Sequence, residues 1–176
     1  MPDMLPDWYP ADRHPAPPAD PLFGWLCHEG SLTQRLTDAG DQDFRVELLL
    51  QQQQPARDDE AAALGLPAGA TVWAREVLLH TAGAPRVYAR SVAPTSALGS
   101  SAVALDSLGT TSLGHLLFRN PQISRGPIEI SRYPAAWLPA AFCSDGLWAR
   151  RSHFSDGELQ LLVCEVFLQG WPVAGT

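Results

Sequence analysis

The stretch Leu159-Gln-Leu-Leu-Val-Cys-Glu-Val-Phe-Leu168 places one acidic residue inside an otherwise apolar strand. Side chains alternate across a strand, so Leu159, Leu161, Val163, Glu165 and Phe167 share one face. Leu162, Cys164, Val166 and Leu168 occupy most of the other. A strand that is apolar on both faces belongs inside a covered sheet, which takes Glu165 out of bulk water. An isolated buried carboxylate is costly. It must be protonated, paired with a cation, or turned towards a polar ligand.

A second strand supplies the cation. In Val72-Trp-Ala-Arg-Glu-Val-Leu-Leu79 the alternation that groups Trp73, Val77 and Leu79 also includes Arg75, and it sends Glu76 to the opposite face. Arg75 and Glu165 are therefore either a structural ion pair or the two poles of a small polar-ligand site. Taken alone, the two residues favour the pair slightly, because structural networks also bury charge.

Around these two strands the chain reads as hairpins with helices gathered at the front and in one central insertion. Asp20-Pro21 opens a helix that runs through Leu26 towards a stop at Gly30. Ser31-Leu-Thr-Gln34 follows as a capping box for a second helix ending near Gly40. The corner Gly30-Ser31-Leu32-Thr33 offers backbone N–H groups to an anion or carbonyl, although by itself it reads as an ordinary helix junction. Residues 44–54 form a strand that ends in four glutamines, and a short alanine-rich helical turn lies within 55–70. Strands at 72–80 and 86–94 are joined by Thr81-Ala-Gly-Ala-Pro85. A short helix at 111–118 and a strand at 123–133 lead to a final hairpin, 147–154 and 158–168, around Asp156-Gly157. No regular β–helix–β alternation appears. The expected fold is α+β: a single antiparallel sheet with helices packed on one side.

At 176 residues with 45% hydrophobic and 18% charged content, the chain is expected to form one globular domain over residues 21–176. Residues 1–20, rich in proline and aspartate, read as a flexible arm or a strap across the surface, with Trp8 and Tyr9 as the residues that would dock. The start of the chain lacks the basic and apolar regions of a secretory signal, and no apolar run approaches a membrane span. Three cysteines, with no close pair, fit reduced thiols and a cytoplasmic location. A net charge of −7 without a basic stripe argues against nucleic acid. All twelve basic residues are arginine, which excludes lysine Schiff-base chemistry. The five histidines show no metal-ligand spacing, and no phosphate-binding or nucleophile-elbow motif occurs. An enzyme built from this chain is expected to need no cofactor and no metal, working by positioning and electrostatics.

Six segments, in order, carry a resemblance. They are Trp25-Leu26 with Gly30-Ser-Leu-Thr-Gln-Arg-Leu36; Val72-Trp-Ala-Arg-Glu-Val-Leu-Leu79; Ala89-Arg-Ser-Val-Ala-Pro94; Leu108-Gly-Thr-Thr-Ser-Leu-Gly-His-Leu-Leu-Phe118; Leu147-Trp-Ala-Arg-Arg-Ser152; and Leu161-Leu-Val-Cys-Glu-Val-Phe-Leu168. Together they resemble the chorismate pyruvate-lyase family, whose members make 4-hydroxybenzoate at the head of ubiquinone biosynthesis. The resemblance implies that Arg75 binds the ring carboxylate and Glu165 lies at the phenol end of the ligand. It also implies that Leu32 and Leu113 contact product through main-chain atoms, in two elements that close over the site. Leu32 stands where the family has methionine, and Gln169 where it commonly has proline.

The implied reaction converts chorismate to 4-hydroxybenzoate and pyruvate in a monomer prone to product inhibition. A second cation is then needed for the enolpyruvyl carboxylate, with Arg90, Arg150 and Arg151 as candidates. Neighbours in a strand, Arg150 and Arg151 cannot both point inward. The competing expectation is a non-catalytic domain of the same fold that binds or senses an aromatic acid.

Overall fold

The computed structural model describes residues 5–97, 110, 113–156 and 159–173. Its strands are β1 (Tyr9–Pro10), β2 (Phe44–Pro55), β3 (Thr71–Thr81), β4 (Ala84–Pro94), β5 (Ser124–Arg125), β6 (Glu129–Arg132), β7 (Trp148–Ser155) and β8 (Gln160–Phe167). The α-helices are α1 (Leu22–Leu26), α2 (Leu32–Ala39), α3 (Asp58–Leu64) and α4 (Leu113–Arg119). One antiparallel sheet contains all eight strands in the order β1-β6-β7-β8-β4-β3-β2, with β5 beside β7. The doubly apolar β8 thus lies between β7 and β4, where both of its faces are covered.

Alternation along the strands divides the interior in two. On the first face, Trp25, Leu26, Leu32 and Leu36 of α1 and α2 pack on Val77, Leu79, Val87 and Phe167. Farther along the same face, Leu117 of α4 covers Trp73, Phe154 and Leu161. The second face carries Leu78, Tyr88, Val166 and Leu168 against Tyr133 and Leu138, and Val72, Val92 and Leu162 against Ala61 of α3. The fold class read from the sequence is the one observed. The second face, for which no helix was expected, is closed by α3 and by the segment 133–143, because its strand residues are as apolar as those of the first.

Several local details differ from the sequence expectation. Helix α1 ends at Leu26 and not at Gly30, since the carbonyls of Trp25, Leu26 and His28 are taken by an arginine of the sheet. Ser31 Oγ accepts the Gln34 N–H at 3.2 Å, but the Gln34 side chain donates forward to Asp38, so only half of the capping box forms. The β3–β4 hairpin closes over just Ala82 and Gly83, with φ of 51° and 77°. Two left-handed residues match the twist of a hairpin, and Pro85 sits at an irregular step of the ladder, where no N–H is required. The strand expected at 123–133 splits into β5 and β6 around Gly126-Pro127. The Asp156-Gly157 turn and the start of the helix expected at 111–118 lie partly outside the described residues.

Residues 5–20 form a strap. Tyr9 and Pro10 pair with Ile130 and Glu129 of β6, Trp8 Nε1 donates to Asp59 Oδ2 at 3.1 Å, and the Arg151 guanidinium lies over the Trp8 ring at 4.6 Å. Helix α3 is pinned from beneath by a buried fork: Arg90 Nε and Nη2 donate to the two oxygens of Glu60 at 2.6 and 3.0 Å. Removing one partner of such a pair strands the other charge in a dry environment. Glu60→Ala is therefore expected to lower the unfolding free energy by about 3–5 kcal/mol in a urea titration. A loss below about 1 kcal/mol would show that the pair is solvated and does not anchor α3.

Candidate functional site

Between the two apolar patches of the first face a pocket opens, lined by both charged and apolar side chains. Its floor is the sheet, through Arg75, Val77, Ala89, Ser91, Val163 and Glu165. Its walls come from Leu32 and Thr33 at the start of α2, and from Leu113, Gly114 and Leu117 of α4. The four residues singled out from the sequence, Arg75, Glu165, Leu32 and Leu113, all line this one cavity.

Strand pairing fixes how the two charged poles are spaced. Arg75 pairs with Ser91, which pairs with Val163, whereas Glu165 lies two residues further along β8. Two strand spacings and two residue rises put the Arg75 and Glu165 Cα atoms roughly 12 Å apart. Both side chains line the cavity from the sheet floor, two strands apart. Arg75 is only 2% exposed, and burial lowers its pKa from the ordinary arginine value.

Glu165 makes its ion pair with Arg150, its direct neighbour on β7, at 3.0 Å from Nε to Oε1. The opposite edge of that guanidinium faces the end of α1: Nη1 donates to the His28 carbonyl at 2.5 Å, with those of Trp25 and Leu26 at 3.3 and 3.4 Å. Arg150 is 1% exposed, and the Glu165 side chain 13%. The half-buried carboxylate is thus held in one orientation by an arginine that is itself fixed to the helical cover.

The three candidate second cations separate by face. Arg150 lines the pocket. Arg90 lies on the second face with Glu60 and Glu76, and Arg151 lies there with Glu129 and Asp59. Neither Arg90 nor Arg151 reaches the pocket, because alternation directs both through the sheet to α3 and the strap. The sequence alone does not single out a further arginine: Arg125 of β5 also lines the cavity. Its only sequence signal is its place just ahead of the strand-breaking Gly126-Pro127 pair. Burial, and then the neighbouring Arg150 charge, push the Arg125 pKa down to about 10. Among the described residues the pocket lining holds three guanidinium groups and one carboxylate. Among the described residues there is no cluster of three or more His, Cys, Asp or Glu side chains suited to a metal ion.

The chain is a small α+β domain with an arginine-lined pocket on one face of an open antiparallel sheet. The same fold occurs in the C-terminal domain of the histidine utilization repressor from Pseudomonas syringae pv. tomato, with a TM-score of 0.55 and 12% identity over 72% of this chain and 92% of that one. Identity so low establishes the fold alone. Sequence comparison goes further: the model of the chorismate lyase family matches residues 6–173. A probable chorismate pyruvate-lyase of Pseudomonas aeruginosa is 54% identical over 155 residues, covering 88% of this chain and 87% of the relative. One from P. syringae pv. tomato is 48% identical over 94% of this chain and 89% of the relative. The chain belongs to the chorismate lyase family.

The double duty of Arg150 is open to test. Arg150→Lys keeps the charge but cannot serve Glu165 and the α1 carbonyls together. Its unfolding free energy in urea is expected to fall by about 1–3 kcal/mol, the scale of a lost charge-assisted hydrogen bond. An unchanged midpoint would mean that the fork does not hold the helical cover.

Proposed function

We propose that this chain is a chorismate lyase that converts chorismate to 4-hydroxybenzoate and pyruvate, without a cofactor, in the Arg75–Glu165 pocket. The observation that carries this reading is the cavity itself, lined by a buried guanidinium and an arginine-paired carboxylate on one sheet face. Family membership and 46–54% identity to curated relatives named for this activity support it.

Arg75 holds the ring carboxylate of the substrate in a fork, a role that lysine fills poorly. Glu165, oriented by Arg150, accepts a hydrogen bond from the ring hydroxyl. In the reaction the C–H bond at the hydroxyl-bearing carbon breaks, and its electron pair completes the aromatic ring. The neighbouring C–O bond breaks with its pair going to the departing enolpyruvyl oxygen. The enolpyruvate takes up a proton and becomes pyruvate. Aromatisation supplies the driving force, so the protein has to fix the dianion in place and stabilise charge on the leaving oxygen. The described lining, with Arg75, Arg125 and Arg150 beside one carboxylate, suits a substrate with two carboxylates.

The start of α2 and helix α4 act as covers over the bound ring, with Leu32 and Leu113 meeting the ligand through main-chain atoms. A product enclosed in this way leaves slowly, so strong inhibition by 4-hydroxybenzoate belongs to the same reading. So do action as a monomer in the cytoplasm and entry of the product into ubiquinone synthesis. No helix among the described residues is long and apolar enough to cross a membrane.

The experiment is to incubate the purified protein with chorismate and follow pyruvate. Release of pyruvate is expected; a melting temperature raised by 4-hydroxybenzoate, with no pyruvate formed, would point instead to a domain that only binds an aromatic acid. Arg75→Ala is expected to reduce turnover by roughly two to three orders of magnitude, the scale of losing one key electrostatic group. Unchanged turnover removes Arg75 from the mechanism. Glu165→Gln should lose rate while remaining folded; a variant that merely unfolds would make Glu165 a structural partner of Arg150.

A further inference from the structure

Arg125 enters the pocket from β5, the two-residue strand beside β7, and its neighbours hold it from several sides. Its Nε donates to Ser152 Oγ at 2.9 Å, and Nη1 donates to the Glu29 carbonyl at 3.0 Å. The guanidinium carbon lies 5.2 Å from the centre of the Phe154 ring and 6.0 Å from that of Phe118 on α4. Both hydrogen-bond acceptors are uncharged. Arg150, by contrast, is already matched by Glu165. Arg125 is thus a half-buried cation whose described hydrogen bonds go to uncharged acceptors, with the Glu165 and Glu29 carboxylates close enough to act on its charge, and an anion entering the pocket would add a direct partner.

Its location is as informative as its charge. Ser152, which holds Arg125, pairs with Val163, and Glu165 lies two residues further along β8. Ser152 is therefore one strand spacing and two residue rises from Glu165, roughly 8 Å between Cα atoms, and three strand spacings, roughly 14 Å, from Arg75. Arg125 serves the end of the pocket that holds Glu165. In chorismate the enolpyruvyl ether is borne by the carbon next to the one that carries the hydroxyl. With the ring carboxylate on Arg75 and the hydroxyl at Glu165, the second carboxylate falls on the Arg125 side.

We infer that Arg125 is a substrate-binding residue that takes the enolpyruvyl carboxylate, the group 4-hydroxybenzoate lacks. This assignment rests on the proposed lyase reading. It gives each of the three pocket arginines its own role. Arg75 binds the carboxylate shared by substrate and product, Arg150 orients Glu165, and Arg125 distinguishes substrate from product. Loss of pyruvate would then leave the Arg125 contact vacant while the Arg75 contact persists.

The test compares two ligands by calorimetry, independently of turnover. One is 4-hydroxybenzoate; the other is 3-(carboxymethoxy)-4-hydroxybenzoate, an unreactive aromatic that carries a second carboxylate beside the hydroxyl. For Arg125→Gln, the affinity for 4-hydroxybenzoate is expected to stay within about threefold of the parent protein, while affinity for the diacid falls on the order of 10–100-fold. The KM for chorismate should rise by a similar factor. Arg125→Lys, which keeps the charge, should recover much of the diacid affinity. Equal loss for both ligands in both variants would make Arg125 a structural residue and overturn the assignment. Undiminished diacid affinity in Arg125→Gln would overturn it as well, by placing the second carboxylate elsewhere. Absence of pyruvate release by the parent protein would instead overturn the lyase reading, and shows itself without any variant.

Discussion

A single guanidinium ties this structure together. Arg150 pairs with Glu165 across adjacent strands and also receives the carbonyls at the end of α1. Without it, a carboxylate would lie uncompensated on an apolar sheet face, and the helical cover would lose its anchor to the floor. With it, Glu165 is held in a fixed orientation and the helix ends early, releasing the turn that leads to Leu32. The apolar packing of Trp25, Leu26 and Leu36 against Val77, Leu79 and Phe167 then closes one side of the pocket. The polar contact sets where the cover sits, and the hydrophobic contacts supply most of what keeps it there.

The sheet separates two kinds of buried charge. On the second face, Arg90 and Arg151 are matched by Glu60, Glu76, Glu129 and Asp59, and Tyr88 donates to Glu76. These groups fasten α3 and the N-terminal strap to the strands. Among the described residues the pocket lining carries three arginines and one carboxylate instead. The same residue type therefore does structural work on one side and faces a ligand cavity on the other. What distinguishes the two is the local supply of carboxylates: rich under α3, whose first turn is Asp58, Asp59 and Glu60, and limited to Glu165 among the described residues of the pocket lining.

Much of this is legible in the chain without coordinates. Alternation in 159–168 and 72–79 places Glu165 and Arg75 correctly relative to their apolar neighbours, because both strands are central and their faces are set by strict period two. The resemblance to the lyase family adds Leu32 and Leu113, which alternation cannot find. The rest depends on register. A five-residue loop at 81–85 leaves the pairing of β4 open, so Arg90 stays a candidate until the two-residue Ala82-Gly83 turn fixes it opposite Glu76. Arg125 escapes such a reading because β5 is two residues long and owes its place wholly to pairing with β7, a contact that no local pattern encodes. Glu165's true partner is likewise a matter of strand order: Arg150 is its neighbour through β7, while Arg75 is two strands away.

The most direct measurement is a crystal structure of the protein grown with 4-hydroxybenzoate. The ring is expected in the pocket under Leu32 and Leu113, with its carboxylate within hydrogen-bond distance of the Arg75 guanidinium and its phenol oxygen within that distance of Glu165. A ligand bound with its ends reversed, or outside this cavity altogether, would contradict the account.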